Sequence, residues 1–233
     1  MHLNMQSPVF DNRYDAGHQL VAKLGEYKGS SVVVLAIPNG GVTVGLGVAL
    51  ALKAELDLVV SRKIPLPLSP EGGFGAVTDD GTIIINEEIV KKAALSQQQI
   101  NYQVTKVRAD IRQRSLLYYK NRLPSVLTDK TVIIVDDGLA SGYTMLAAVE
   151  SVKKRRPGRV VVAVPVTSAA ARVLLETVGD KVITCVTSSM PKFYLADFYR
   201  YWNEPDDNEV IQCLQEWRAR RFRSNIESLE VDE

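Results

Sequence analysis

The sequence predicts an α/β fold in which a five-stranded, mainly parallel sheet is flanked by helices. Short β-branched runs alternate with longer helical patterns, which is the order that a sheet wound by right-handed crossovers produces. The runs are apolar at consecutive positions, as expected for strands buried on both faces. Hydrophobic residues make up 46% and charged residues 24% of the 233 residues, the balance of a globular protein with a substantial core. We expect one domain over residues 1–233.

Apolar runs mark the predicted strands, and amphipathic stretches mark the predicted helices. The strands cover residues 32–36, 58–61, 131–135, 160–164 and 182–186. The helices cover residues 15–27, 43–54, 96–119, 143–155, 168–178 and 208–223. Ser96 and Gln99 form a capping-box pattern, which indicates that the third helix begins there.

The segment 71–88 interrupts the alternation of strands and helices. Glycines are concentrated within residues 72–75, and Asp80-Gly81 suits a tight hairpin turn. We therefore expect a flexible loop or hairpin over about residues 64–86.

Charge and cysteine content narrow the function classes. With 28 Lys and Arg against 27 Asp and Glu, the formal net charge is +1, so no global field favours nucleic acid or an anionic membrane. Cys185 and Cys213 lack a CxxC spacing, which favours a reducing compartment. Residues 1–10 show no leader pattern, and no apolar run is long enough to span a membrane. We expect a cytoplasmic protein with no membrane or nucleic-acid partner, in which any anion is bound locally.

The stretch 131–144, TVIIVDDGLASGYT, carries the clearest chemistry. Its buried strand ends in Asp136 and Asp137, and ligands bind at this edge of open α/β sheets. Small residues then allow backbone N–H groups to surround an anion where the next helix begins, with the Ser141 and Thr144 hydroxyls as further donors. Carboxylates repel a nearby phosphate unless they face a bridging cation or a neutral group, and vicinal ribose hydroxyls are such a group.

This stretch resembles the phosphoribosyl diphosphate signature of type I phosphoribosyltransferases, a hydrophobic strand followed by two acids and a small-residue loop. The resemblance implies that Asp136 and Asp137 contact the ribose hydroxyls during catalysis. It also implies Mg²⁺ as cofactor, bound mainly through the ligand, with either aspartate as the candidate protein ligand. The implied loop for the 5-phosphate and its flanks consist of Gly138, Ala140, Ser141, Gly142, Tyr143 and Thr144.

Two positions in this loop depart from the family pattern. Most members carry an aliphatic residue where Gly138 stands, so we expect a looser turn here that keeps its amide donors. Members that act on 6-oxopurines usually carry an acid where Ala140 stands, which weakens that substrate class. The resemblance therefore leaves the acceptor open.

Two other interpretations compete for the acid pair. A hydrophobic strand ending in Asp136 and Asp137 also resembles a Walker B element, but the chain has no GxxxxGK[ST] run to bind the triphosphate. The other interpretation is a structural strand followed by a polar loop. The combination of two acids with an anion-binding loop argues against it.

A second glycine turn follows the first predicted strand, in the run AIPNGGVTVG. Paired glycines let the main chain approach a polyanion closely, and a helix is predicted to begin at residue 43. The resemblance implies that Pro38, Asn39, Gly40 and Gly41 bind the pyrophosphate group. In the subgroup that this run resembles, a basic residue usually stands at the place of Asn39, so catalytic efficiency is in question. An ordinary strand-to-helix turn is the alternative.

Three further polar residues are candidates for the diphosphate and the closing loop. Arg62 and Lys63 end the second predicted strand, from which both can reach pyrophosphate oxygens; a solvated strand end is the alternative. The resemblance implies that the glycine-rich segment 70–77 closes over the site and excludes water. Glu71 is then a candidate acid or base, with an exposed loop carboxylate as the alternative.

The segment after the last predicted strand supplies the candidate acceptor contacts. Purine members of the family stack an aromatic residue from such a segment on the nucleobase. Phe193 is the candidate here, with Tyr194 as its alternative, and core packing is the competing role.

The function implied is a phosphoribosyltransferase that moves the phosphoribosyl group of 5-phosphoribosyl 1-diphosphate to a nitrogen nucleophile, with a nucleobase as the expected acceptor, and releases pyrophosphate. A small hood from the terminal segments is expected over the site, and a homodimer stays open. One alternative is a non-catalytic phosphoribosyl diphosphate sensor. Another keeps the fold but hydrolyses a phosphorylated small molecule or transfers onto it.

Overall fold

The structure, a computed structural model, describes residues 8–120 and 123–230. The remaining parts of the predicted domain, residues 1–7, 121–122 and 231–233, lie outside the described residues. The strands are β1 (Val32–Ala36), β2 (Glu55–Leu58), β3 (Ser61–Leu66), β4 (Ser69–Thr78), β5 (Ile83–Ile85), β6 (Thr131–Val135), β7 (Arg159–Ser168) and β8 (Lys181–Ser188). The α-helices are α1 (Arg13–Val21), α2 (Gly40–Leu52), α3 (Glu87–Lys92), α4 (Gln97–Tyr119), α5 (Tyr143–Lys153), α6 (Ala169–Glu176) and α7 (Asp207–Glu230), and 3-10 turns cover Gly25–Tyr27 and Leu195–Phe198.

The main sheet has five parallel strands in the order β2-β1-β6-β7-β8, which confirms the predicted α/β fold. Side chains that alternate along each strand enter separate cores on the two faces, one with α2, α4 and α7 and the other with α5 and α6. The chain leaves β1 toward β2 on one side and leaves β6 toward β7 on the other. The strand order therefore reverses between β1 and β6, which opens a crevice at their carboxyl ends.

The second predicted strand, residues 58–61, is wrong in its placement. β2 ends at Leu58, and Ser61 begins β3 in a second sheet. β2 contains charged residues, so it does not form the apolar run by which a buried strand is predicted. Its Asp57 is nevertheless fully buried, because its carboxylate accepts hydrogen bonds from the backbone N–H groups of Leu58 at 2.8 Å and Ser125 at 2.7 Å. Arg62 and Lys63 consequently lie within β3 and not at the end of the main sheet.

The second sheet occupies the segment predicted as a flexible loop or hairpin over about residues 64–86. It is antiparallel, in the order β3-β4-β5, and packs against α4 and α5. The turn at Asp80-Gly81 is present, with Gly81 at φ +86°, so the predicted hairpin turn is confirmed at that point. The rest of the segment is strand because Gly73 and Gly75 leave room for close neighbours in the sheet.

Helix α2 packs very closely on the main sheet. A Cβ atom on Gly45 would lie 2.8 Å from the Cβ atom of Ala36 in β1, whereas a Cβ on Gly47 would meet only ordinary contacts with Gly17 of α1 at 3.9 Å. The position of α2 matters because its first turn contains one of the two glycine turns at the crevice.

Replacing Gly45 or Gly47 of α2 by alanine is expected to change the free energy of unfolding in opposite directions. Gly45→Ala should lower the free energy of unfolding by about 1–3 kcal/mol, because α2 must move away from β1. Gly47→Ala should raise it by about 0.5–1 kcal/mol through helix propensity alone. Urea unfolding of both variants measures the difference, and equal effects would contradict the close packing described here.

Candidate active site

A cavity of about 650 Å³ opens at the carboxyl ends of β1 and β6. It lies at the point where the strand order of the main sheet reverses. Its lining residues are Arg13, Pro38, Asn39, Gly40, Arg62, Lys63, Arg114, Asp136, Asp137, Thr144, Leu195, Trp202, Glu204, Pro205, Asp206 and Asp207. A second cavity of about 370 Å³ shares Lys63, Asp136, Thr144 and Leu195 with it and continues along the turn after β6.

Asp136 and Asp137 directly follow β6 and lie against the turn after β1. A Cβ atom on Gly40 would lie 2.0 Å from Asp137 Oδ2, and one on Gly41 would lie 2.8 Å from the Asp136 Cα atom. The paired glycines predicted at this turn are therefore required by the aspartates themselves. The two predicted motifs, one after each strand, form a single site.

Arg13 in the first turn of α1 is the charge partner of Asp137. The Arg13 Nε atom donates to Asp137 Oδ2 at 2.8 Å, and Nη1 donates to the carbonyl of Asn203 at 2.7 Å. The guanidinium lies 4.1 Å from the centre of the Trp202 ring, and Arg13 is only 5% exposed. Tyr199 adds a hydrogen bond from its hydroxyl to the Asp137 carbonyl at 2.6 Å.

The two aspartates differ in the charges that act on their carboxyl pKa values. Burial and, next, the charge of Asp137 raise the pKa of Asp136 well above its usual range. Burial also raises the pKa of Asp137, but the charge and hydrogen bond of Arg13 act against that rise. The carboxylate of Asp137 is thus compensated by a resident cation, whereas that of Asp136 is held beside a like charge.

The turn after β6 presents backbone donors. Among the described residues, no protein acceptor takes a hydrogen bond from the backbone N–H groups of residues 140–144. The carbonyls of this turn are directed elsewhere, since Ser168 donates from its N–H to Leu139 at 2.9 Å and from its hydroxyl to Ala140 at 2.7 Å. Gly142 caps α5 with φ +80°, so the free amides meet the positive end of that helix.

Gly138 is small because another side chain fills the space beside it. A Cβ atom at this position would lie 2.2 Å from Leu195 Cδ1 and 3.0 Å from Val166 Cγ1. Leu195 lines both cavities. Leu195, from the segment after β8, thus places an aliphatic group beside this turn.

The turn after β1 begins with a cis peptide between Pro38 and Asn39. The Asn39 amide donates to the carbonyl of Pro205 at 2.8 Å and to Asp207 Oδ1 at 3.2 Å. Arg114 of α4 lies beside it, with Nη1 3.4 Å from Asn39 Oδ1. A cation from another element therefore stands next to the uncharged residue of this turn.

Arg62 and Lys63 reach the first cavity from β3. Arg62 Nε lies 3.5 Å from Asp110 Oδ2, and Lys63 Nζ donates to the carbonyl of Glu71 at 2.7 Å. Glu71 itself lines the second cavity together with the turn after β6. The structure thus brings these three residues to the predicted site, although from the second sheet.

The predicted aromatic contacts lie apart from both cavities. Phe193 packs on Phe198, with ring centres 5.2 Å apart, in a small apolar cluster. Tyr194 is 61% exposed. The aromatic residue that does line the first cavity is Trp202, and Arg13 covers its ring.

Comparison with known proteins decides the family. A family model described as a phosphoribosyl transferase domain matches residues 9–196. The chain belongs to the phosphoribosyltransferase family. Two curated proteins from the CDC 1551 and H37Rv strains of Mycobacterium tuberculosis, each named "Putative phosphoribosyl transferase", are 34% identical to this chain over 213 residues.

These relatives are longer than this chain. Their matches cover 91% of this chain but 47% of each relative, so the chain spans about half their length. The crystal structure of TT1426 from Thermus thermophilus is 32% identical, with a TM-score of 0.72, and the match covers 89% of this chain and 98% of that one. Within the described residues, no helix has the length and apolar content to cross a membrane.

Sequence reasoning missed three residues that line the first cavity, Arg13, Arg114 and Asp207. Arg13 follows Asn12, whose side chain caps α1, so a cation stands in the first turn where the helix dipole disfavours it. That misplaced charge is a signal for a buried partner. Arg114 has a weaker signal, the spacing of four that places it between Asp110 and Tyr118 on one face of α4.

Replacing either aspartate by asparagine is expected to change the free energy of unfolding, in opposite directions for Asp136 and Asp137. The folded pKa of Asp136 lies above its unfolded value, so its bound proton stabilises the fold at low pH, and this stabilisation is lost as the pH rises through the folded pKa. At neutral pH Asp136→Asn should therefore raise the free energy of unfolding by about 1 kcal/mol. Asp137→Asn should lower it by about 2 kcal/mol, because Arg13 stays buried without its partner.

Thermal unfolding at neutral and acidic pH measures both effects. The gain from Asp136→Asn should shrink as the pH falls, since the native carboxyl is then protonated as well. A gain of equal size for both variants, or a loss for both, would contradict the division of charge between the two aspartates.

Proposed function

We propose that the chain binds 5-phosphoribosyl 1-diphosphate across the crevice between β1 and β6 and transfers the phosphoribosyl group to a nitrogen nucleophile, with release of pyrophosphate. A nucleobase is the expected acceptor. One observation carries this proposal: the acid pair lies between two turns that suit anions, residues 38–41 and 140–144. A ligand with a diol in the middle and phosphates at both ends matches that order of groups.

Each part of the ligand has its own residues. The free amides of residues 140–144 and the start of α5 suit the 5-phosphate. Asp136 and Asp137 suit the ribose hydroxyls, because an ionised carboxylate only accepts hydrogen bonds. The turn 38–41, together with Arg62 and Lys63, suits the diphosphate.

The chemistry asks little of the protein beyond alignment and electrostatics. The bond between ribose C1 and the diphosphate oxygen breaks, and a bond from C1 to the acceptor nitrogen forms. Lys63 and Arg62 stabilise the negative charge that grows on the leaving group, and the acid pair stabilises the cation-like sugar. Leu195 and Lys63 line both cavities, and a sugar held between them would be less accessible to water that could capture C1.

Mg²⁺ fits this site as a companion of the ligand. Among the described residues, no group of three or more His, Cys, Asp or Glu side chains is arranged to hold a metal ion. Asp136, which has no arginine partner, is the protein's candidate ligand, and the diphosphate oxygens supply others. When bound there, Mg²⁺ would neutralise the charge on the leaving group.

The test of catalysis is pyrophosphate release. The protein is incubated with 5-phosphoribosyl 1-diphosphate, Mg²⁺ and single nucleobases, and pyrophosphate is measured against time. Turnover that depends on one base is expected, and Asp136→Asn should reduce it by about a hundredfold or more, as when an interaction with the reacting group is lost. Tight binding of the ligand with no turnover for any base would contradict transfer and favour a non-catalytic sensor.

The amide turn is tested with a matched pair of glycines. Gly142 and Gly81 both have positive φ, at +80° and +86°, but only Gly142 belongs to the proposed phosphate turn. Alanine at either position should cost about 1 kcal/mol of stability from backbone strain. Gly142→Ala should also weaken ribose 5-phosphate binding by about tenfold, measured by calorimetry, because the amides are displaced. Equal affinity in the two variants would contradict the phosphate turn.

A further inference from the structure

Four side chains meet at the edge of the first cavity, beside the turn after β1. They are Asn39 of that turn, Arg114 and Tyr118 of α4, and Asp207 in the first turn of α7. The set is distinct from the acid pair, and only Asn39 belongs to a predicted motif. Burial and a hydrogen bond to Asp207 raise the pKa of Tyr118 to about 12, so its hydroxyl stays a donor.

Three donors from this set converge on one oxygen atom, Asp207 Oδ1. Tyr118 donates its hydroxyl at 2.5 Å, Asn39 donates its amide at 3.2 Å, and Arg114 donates from Nη1. Three donors of this kind around a single anionic oxygen also form a binding site for one oxygen of a phosphate group. In the free protein that place is filled by a carboxylate of the chain itself.

The same set faces the proposed diphosphate residues. Asn39, Arg114 and Asp207 line the first cavity together with Arg62 and Lys63. Arg114 Nη1 reaches within 3.4 Å of Asn39 Oδ1, so its charge stands beside the turn whose own residue is neutral. The Arg114 guanidinium therefore places a positive charge beside a turn that has no cationic side chain of its own.

We infer that Arg114 is a diphosphate-binding residue and that Asp207 is a stand-in anion which the diphosphate displaces. This inference rests on the proposed function, since it names a residue of the same site. Arg114 remains oriented by Asp110, whose carboxylate oxygens lie 3.1 Å and 3.2 Å from its Nε atom. Asp207, once displaced, still faces the N-terminus of α7, where a carboxylate is favoured.

The two residues should therefore affect pyrophosphate affinity in opposite directions. Arg114→Gln should weaken binding of inorganic pyrophosphate with Mg²⁺ by about tenfold or more, as expected for loss of a hydrogen bond to a charged group. Asp207→Asn should strengthen it severalfold, because the competing charge is gone while its oxygen can still accept. In the double variant the gain from Asp207→Asn should disappear.

Calorimetry with inorganic pyrophosphate and with ribose 5-phosphate distinguishes an effect on diphosphate binding from an effect on the whole site. Ribose 5-phosphate lacks the diphosphate, so its affinity should stay unchanged in every variant. Arg112→Gln removes the same charge from an exposed position of α4 and should leave both affinities unchanged. Thermal unfolding checks that each variant is folded, and Asp207→Asn provides a gain of affinity that a purely structural role for Arg114 does not produce.

The outcomes that contradict the inference differ from those that contradict the function. If the wild-type protein binds ribose 5-phosphate, but pyrophosphate affinity is the same with Arg114→Gln or falls with Asp207→Asn, the inference is wrong and the proposed function stands. If the wild-type protein binds neither ligand, the proposed function is wrong and the inference with it.

Discussion

The close approach of two neighbouring strand ends is the constraint on which the site depends. β1 and β6 are adjacent and parallel, so the turns that follow them meet at one edge. The turn after β1 has no side chain at Gly40 and Gly41, and the acid pair occupies the space that side chains would take. Charged groups are therefore held where the turn after β1 approaches them with backbone alone, and Arg13 reaches Asp137 from α1. The cost of that burial appears in the raised pKa of Asp136.

Much of the main sheet could be predicted, because parallel strands covered on both faces consist of continuous apolar runs. β2 was not predicted because Glu55 and Asp57 are charged, and Ser125, far along the chain, donates a hydrogen bond to each of them. The second sheet was predicted only as a loop or hairpin, of which the turn at Asp80-Gly81 is present. Its glycines suggest a loop when they are considered alone, but in the fold they allow β3, β4 and β5 to approach one another.

The site could be predicted where a motif is local and could not where partners are distant. The acid pair and both turns are contiguous segments, and the structure brings them together. Arg13 lies 124 positions from Asp137, and Arg114 lies 93 positions from Asp207, so no spacing rule connects them. The family resemblance predicts an aromatic contact from Phe193 or Tyr194 after the last strand, but the residue of this segment that lines both cavities is Leu195, at the start of the 3-10 turn Leu195–Phe198.

Gly138 and Leu195 come from distant parts of the chain but share one space beside the cavities. A side chain at position 138 and a leucine at position 195 compete for the same space, since their carbon atoms would lie 2.2 Å apart. Changes at the two positions cannot be independent, and their energetic effects will not add. An aliphatic residue at position 138 requires Leu195 to move or to be replaced by a smaller residue, and either change would reshape the wall shared by both cavities.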